Sequence, residues 1–510
     1  MLSRVWSATT VGIEAIPIEI ETNVEFGMPK YTVVGLPDGA VRESRDRVQA
    51  AMRNSGFTAP RGVITINLAP ADLRKEGSAF DLPIALGLLA ATGIPFDRST
   101  LKQFLVVGEL SLDGHVRAVR GVLPMAVRAR REGMKGVVVP VQNAGEAVVV
   151  DGIGTYPVRH LAEAVSLLSG NGQRSPPANP KQYRSAAPAA QSSVDFSDVK
   201  GQESAKRALE VAAAGGHNVL MIGSPGAGKT MLARRLPTIL PDLTREEALE
   251  TTTIHSVGGR LHRAGLVMRR PFRSPHHTIS DVGLCGGGSQ PRPGEISMAH
   301  NGVLFLDELP EFKRRALEVL RQPMEEGRVS ISRARISVEF PARFILVASM
   351  NPCPCGYLTD PHRSCVCTPG DVHRYLARIS GPLLDRIDLH IDVTPVSIRD
   401  LELRREGERS MAVRLRVQEA RQRQIERLGA SRVRCNADMS SRLLHAHCRL
   451  DQPCRTLLRE AVHRLGLSAR AYDRILKVAR TIADLCGQHE IGTDHLAEAI
   501  QYRSHHGSAL

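Results

Sequence analysis

Gly223-Ser224-Pro225-Gly226-Ala227-Gly228-Lys229-Thr230 follows an apolar run at 218–222 and precedes the helix-favouring Met231-Leu232-Ala233-Arg234-Arg235-Leu236. The order reads strand, glycine-rich turn, helix. In that setting the octapeptide fits G-x-x-x-x-G-K-[ST], whose backbone N–H groups wrap phosphate oxygens. Lys229 is then expected to reach the β- and γ-phosphates, and the Thr230 hydroxyl to join a Mg2+ shell. A chance glycine turn is the plainer alternative, and the strand before and helix after it weigh against that.

Downstream, Gly302-Val303-Leu304-Phe305-Leu306-Asp307-Glu308 reads as a buried parallel strand. Such a strand delivers its last residues to the C-terminal edge of the sheet, where ligands sit in open α/β folds. Asp307 is expected to complete the Mg2+ shell, and Glu308 to orient and polarise an attacking water. The run 344–351 is the next buried strand and ends on the amide of Asn351.

The chain has 510 residues, enough for about three domains. No apolar run reaches the ~18 residues of a membrane span, and the N-terminal stretch lacks a signal-peptide core, so a cytoplasmic protein without membrane partner is expected. A formal net charge of +14 with few aromatics favours a nucleic-acid partner gripped through its phosphates over a base-stacking platform. A basic surface kept for solubility is the plainer reading of the charge.

Nine cysteines, an odd number, do not make a disulfide framework. Four cluster as Cys353-Pro354-Cys355 and Cys365-Val366-Cys367. They could close a tetrahedral Zn2+ site, with His362 and His373 as substitute ligands, or pack as four reduced thiols.

Residues 1–168 alternate β-branched runs (16–20, 31–34, 62–67, 136–140) with helix-like stretches (40–53, 81–91), an α/β or α+β domain. Proline, alanine and serine at 169–194 describe a flexible linker. The nucleotide-binding core is expected at 195–395 and an all-helical part at 396–510. There, 398–428 reads as a solvated charged helix, and Thr493 as the cap of a last helix at 494–503.

The entry Asp195-Phe196-Ser197-Asp198-Val199-Lys200-Gly201-Gln202, together with the phosphate loop, resembles AAA+ ATPases. That resemblance implies a sensor role for Asn351. Gly381-Pro382-Leu383-Leu384-Asp385-Arg386 resembles the arginine-finger segment, with Arg386 as the finger and Arg378 as second choice. Arg470 opens a stripe of Ile475, Val478, Ile482 and Leu485 and fits the sensor-2 arginine of a helical lid. A finger acting across a subunit boundary implies a ring.

The segment 255–295 resembles the helix-2 insert shared by magnesium chelatases and minichromosome-maintenance helicases, and 328–340 reads as a hairpin with arginines at its turn. Arg269, Arg270, Arg273, Arg333 and Arg335 are the expected DNA contacts, with a basic solvated surface as the alternative.

In the front part, 73–86 and 107–117 resemble the subunit-I-like domain of magnesium-chelatase relatives, whose fold is that of the Lon protease domain (ribosomal S5 domain 2-like, α+β). Aligned on that motif, the nucleophile position holds Ala79 and the lysine position Leu123, while neighbouring Ser78 has no lysine placed to activate it. A scaffold or binding module is expected in place of a protease.

With the Asn351-Pro352-Cys353-Pro354-Cys355-Gly356 segment, nearly the whole chain resembles the ComM/YifB competence family of magnesium-chelatase-like AAA+ ATPases. The resemblance implies an α/β P-loop core with a helical lid, and a hexameric ATP-driven helicase that migrates branched DNA in homologous recombination during natural transformation. Recombinase or competence proteins would be its partners. A chelatase-like ATPase that remodels a protein partner would share every ATP residue.

Overall fold

The computed structural model describes residues 1–75, 77–96, 98–169, 176–184, 194–261, 265–288, 291–333, 336–360, 363–396, 407–429, 431 and 433–503. The chain divides into two compact units. One comprises Met1–Ala190, Arg245–Val267 and Ser332–Phe340; the other comprises Gln191–Thr244, Met268–Ile331 and Pro341–Leu510.

The first unit is built on a seven-stranded mixed sheet in the order Lys30–Val34, Val63–Ala69, Glu14–Glu25, Leu2–Val11, Phe104–Val106, Gly136–Pro140, Gly154–Val158. All four strands expected from β-branched runs are present. In Glu14–Glu25 the buried residues Ile18, Ile20 and Thr22 alternate, the period of a strand with one covered face. Asp81–Ala91 is apolar on every side because it is buried on every side, its residues other than Ala90 all lying in the interior. The helix Gly39–Asn54 starts on Asp38, whose Oδ1 accepts from the Val41 amide at 2.8 Å.

This unit also takes in the helix Arg245–Val257, contrary to the expected boundary at 195. Leu249 packs on the core formed by Leu105, Val107 and Met125, and Ser256 donates to Glu146 at 2.5 Å. Part of the expected flexible linker is ordered too. Pro180–Arg184 is a short helix, and the Ala178 amide donates to the Thr155 carbonyl at 2.8 Å. Residues 170–175 and 185–193 of that linker lie outside the described residues.

The second unit holds a five-stranded, all-parallel sheet in the order Phe272–Arg273, Gly302–Leu306, Phe344–Met350, Val219–Ile222, Leu389–Asp392. Its strands are near-continuous apolar runs because both faces are covered. Phe272–Arg273 corrects the reading of 255–295 as pure insert: the Val303 amide donates to the Pro271 carbonyl at 2.8 Å and draws this stretch into the sheet. Two residues at an edge are too few to show a strand period.

The C-terminal helices Ser410–Leu428, Gln452–Leu465, Ala469–Leu485 and Thr493–Gln501 share one hydrophobic core with the sheet and with the helix Glu203–Gly215. Ser410–Leu428 is therefore not a wholly solvated helix, since Val413, Val417, Ala420 and Leu428 line its buried face. Ile475, Val478 and Ile482 form the buried stripe expected of them. Thr493 is the first helical residue, and Gly492 takes the cap position with its amide donating to His495 Nδ1 at 3.0 Å. Among the described residues no helix is long and apolar enough to cross a membrane.

Candidate nucleotide site

The phosphate loop leaves the C-terminal end of Val219–Ile222 and feeds the helix Lys229–Ile239. Gly223 must be glycine, because a Cβ there would lie 2.2 Å from the Val393 carbonyl oxygen. The loop thus passes tightly over the neighbouring strand before opening toward the helix N-terminus, a natural anion site.

Lys229 Nζ donates to the Gly223 carbonyl at 2.6 Å, the Ser224 carbonyl at 3.1 Å and Asn351 Oδ1 at 3.1 Å. Burial lowers its pKa, and Asp307 and Glu308 oppose that shift. The ammonium is held over acceptors that arriving phosphates can replace. Thr230 Oγ1 donates to Asp307 Oδ2 at 2.8 Å, so the two expected Mg2+ ligands already meet. Hydroxyl and carboxylate oxygens are the hard donors Mg2+ takes.

Asp307 is further fixed by the Ser349 hydroxyl and by the Glu308 amide at 3.1 Å. Glu308 adopts a left-handed backbone with φ of 55°, rare for a residue with a side chain. Its carboxylate is exposed, and Oε2 lies 3.4 Å from His277 Nδ1. The His277 ring in turn tilts against His276, with centroids 4.1 Å apart.

Three residues of this network escaped the sequence reading. Ser349 was legible as the polar residue in an apolar strand, two before Asn351 and so on the same face. His277 lay within the presumed insert. Gln202 Nε2 donates to the carbonyls of Ala227 at 2.6 Å and Thr394 at 3.0 Å, clamping the loop from the side.

Arg386 is buried. Its guanidinium pairs with the Glu325 carboxylate and donates to the Pro382 carbonyl at 2.6 Å. Arg378 is half-exposed and pairs with Glu311 at 2.9 Å. Arg470 lies exposed in the first turn of its helix, while Arg474, one turn on, binds the buried Asp388. Burial alone would raise the Asp388 carboxyl, but Arg474, His217 and the Asn218 amide hold it down at about 2. Beside it His217, wholly buried, contacts Thr481 Oγ1 at 2.8 Å, and burial pushes its pKa down to about 4.

Two of the expected DNA contacts are committed internally. Arg270 donates to the carbonyls of Pro241 at 2.5 Å and Asn301 at 2.8 Å, and Arg273 forms a bidentate pair with Glu295 at 2.6 and 2.8 Å. Both hold the edge of the sheet. Arg269 is exposed. Arg335 and the side chain of Arg333 lie outside the described residues, although the hairpin strands Arg328–Arg333 and Ile336–Pro341 are formed.

The sulfurs of Cys353, Cys355, Cys365 and Cys367 all lie within 4.8 Å of one another. His373 is exposed on the helix Pro369–Leu376 and outside that group, and His362 lies outside the described residues. In the first unit Ser78 donates to the Glu109 carboxylate, and Leu123 is fully buried in the core.

A phosphate loop, a paired threonine and aspartate and a strand-end asparagine on an all-parallel sheet define a P-loop nucleoside-triphosphate-binding protein. The comparisons narrow this. Residues 195–401 match the family described as magnesium chelatase, subunit ChlI; residues 20–143 match subunit ChlI of Mg-chelatase, and 407–503 its C-terminal part. The chain is 46% identical to competence protein ComM of Haemophilus influenzae, covering 99% of this chain and 97% of that one. It is 45% identical to the uncharacterized protein YifB of Escherichia coli over the same shares. The 38 kDa magnesium-chelatase subunit of Rhodobacter capsulatus is 25% identical, covering 59% of this chain and 84% of that one. The chain belongs to the ComM/YifB family of magnesium-chelatase-like AAA+ ATPases.

Proposed function

We propose that the protein is an ATP-hydrolysing ring motor, a hexamer, that moves DNA strands and promotes branch migration during homologous recombination in natural transformation. The observation that carries ATP hydrolysis is the pair of contacts made by the adjacent Lys229 and Thr230, the first to Asn351 and the second to Asp307. Lys229 and the loop amides bind the phosphates of ATP. Thr230 and Asp307 hold Mg2+, which supplies charge neutralisation on the phosphates. Glu308 takes the water's proton while Asn351 orients the γ-phosphate, and Arg386 or Arg378 of a neighbouring subunit stabilises the developing charge.

DNA as the substrate rests on the net charge of +14, on the exposed Arg269 and on the likeness to a protein named for competence. The two units divide the labour, with the front one a scaffold in which Ser78 faces a carboxylate. The test is fluorescence anisotropy of labelled single-stranded and forked DNA at rising salt. Binding that weakens linearly in log–log with salt supports the reading. No binding at low salt overturns it in favour of a chelatase-like ATPase acting on a protein.

A further inference from the structure

The four cysteines follow directly on the strand that ends in Asn351, and their sulfurs converge on one point. Cys353 and Cys355 are 3.3 Å apart, Cys353 and Cys365 3.6 Å, and Cys355 and Cys365 3.5 Å. These separations are far beyond a disulfide bond of about 2.05 Å. They approach the ~3.8 Å edge of a tetrahedron of thiolates drawn at the usual Zn–S distance of about 2.3 Å.

The main chain is arranged for the same purpose. The Gly356 amide donates to Cys353 Sγ at 3.2 Å, the Cys355 amide to Cys367 Sγ at 3.4 Å, and the Cys367 amide to Cys365 Sγ at 3.4 Å. Three N–H groups aimed at sulfur stabilise thiolates and orient them as ligands. Among the described residues this is the one group of His, Cys, Asp or Glu side chains placed to share a metal ion.

What the group touches gives it a role. Gly356 sits so close to the phosphate loop that a Cβ on it would fall 2.6 Å from Pro225 Cδ, and 3.8 Å from Asn351 Cγ. The turn closed by Cys353 and Cys355 is therefore wedged between the phosphate loop and the sensor asparagine. Residues 361–362, within the loop between the two cysteine pairs, lie outside the described set, but both ends of the loop are fixed by the sulfurs.

The geometry points to a structural Zn2+ ion bound by Cys353, Cys355, Cys365 and Cys367 that sets the positions of Pro225 and Asn351, so that zinc occupancy governs the rate of hydrolysis. Binding is a proton-for-metal exchange: each thiol releases its proton to water as its sulfur bonds to Zn2+, and nothing is oxidised or reduced. The metal site itself stands without the functional reading above; its effect on turnover rests on that reading. The four cysteines act as positioning residues.

The test begins with metal analysis of the full chain purified without added metal, measured in the absence of ATP and DNA. One zinc per chain is expected, and the Cys355→Ser and Cys365→Ser variants should lose it. Zinc-free protein whose four thiols all react freely with a disulfide reagent overturns the site. In the zinc-loaded wild type, a mercurial that displaces the metal, followed by thiol and zinc re-addition, avoids any folding defect of the variants. Displacement should lower kcat about tenfold or more and leave the affinity for a fluorescent ATP analogue within about threefold, reversibly. Turnover that ignores zinc removal overturns the governing role and leaves the ATPase reading standing; protein without turnover in its zinc-loaded form fails that reading, not the metal site.

Discussion

Lys229 Nζ lies 3.1 Å from Asn351 Oδ1, so the cation expected to reach phosphate and the amide at the end of the neighbouring strand are hydrogen-bonded to each other. A γ-phosphate entering between them would replace that contact and engage both groups at once. Removing either should thus have separable effects. Lys229→Ala should abolish binding of a fluorescent ATP analogue. Asn351→Ala should leave it bound within about tenfold while lowering kcat about a hundredfold. Equal losses of binding in both variants would place Asn351 in the ground-state cradle.

The burial of Arg386 against Glu325 makes its role a matter of where it acts. If it reaches the neighbouring subunit's nucleotide, Arg386→Ala and Glu308→Gln each inactivate alone, yet mixing them should restore part of the turnover through interfaces that carry both native residues. A mixture that stays inactive, with both variants shown folded by thermal melting, would rule out Arg386 acting on the neighbouring subunit's nucleotide. The same mixing with Arg378→Ala then decides for its half-exposed alternative.

His217 and Asp388 make stability pH-dependent. The buried His217 titrates at about 4 where the unfolded chain titrates near 6.5, because burial disfavours its charged form. The unfolded chain binds more protons in that window, so stability is fully present above pH 6.5 and is lost as pH falls toward 4, by an amount on the order of 3 kcal/mol. Asp388, held down at about 2 against 3.8, adds stability that is present above pH 3.8 and lost below it. Urea midpoints between pH 7.5 and 4.5 should fall steadily for the wild type and much less for His217→Gln.

Gly356→Ala places a methyl group on Pro225 at a backbone φ of +87°, where a side chain is already strained. A loss of about 1–2 kcal/mol in stability is expected, together with slowed turnover. Unchanged kinetics would show that the cysteine loop can yield without moving the phosphate loop.

Much of the second unit's sheet could be read from the sequence because its signals are local. The runs ending at Ile222, Leu306 and Met350 are short, apolar and bounded by glycine or polar residues, and each leads directly into a residue expected at the site. In the first unit the helix Asp81–Ala91 was legible to the residue. What stayed hidden is non-local. His217, Asp388 and Arg474 are far apart in sequence and meet only when the sheet and the C-terminal helices share a core. Arg270 and Arg273 look like free cations in sequence, and only the fold supplies the carbonyls and the carboxylate that occupy them. The helix Arg245–Val257 packs with the first unit through Leu249 and Ser256, which no pattern in its own residues announces.

The most direct test of the central claim is ATP turnover by the purified full chain with no DNA, with single-stranded DNA and with a forked duplex, beside the Glu308→Gln variant. Turnover raised severalfold by DNA, most by the fork, and absent from the variant is the predicted result. Turnover that is lost in the variant yet indifferent to every DNA would contradict the account and leave an ATPase whose client is a protein.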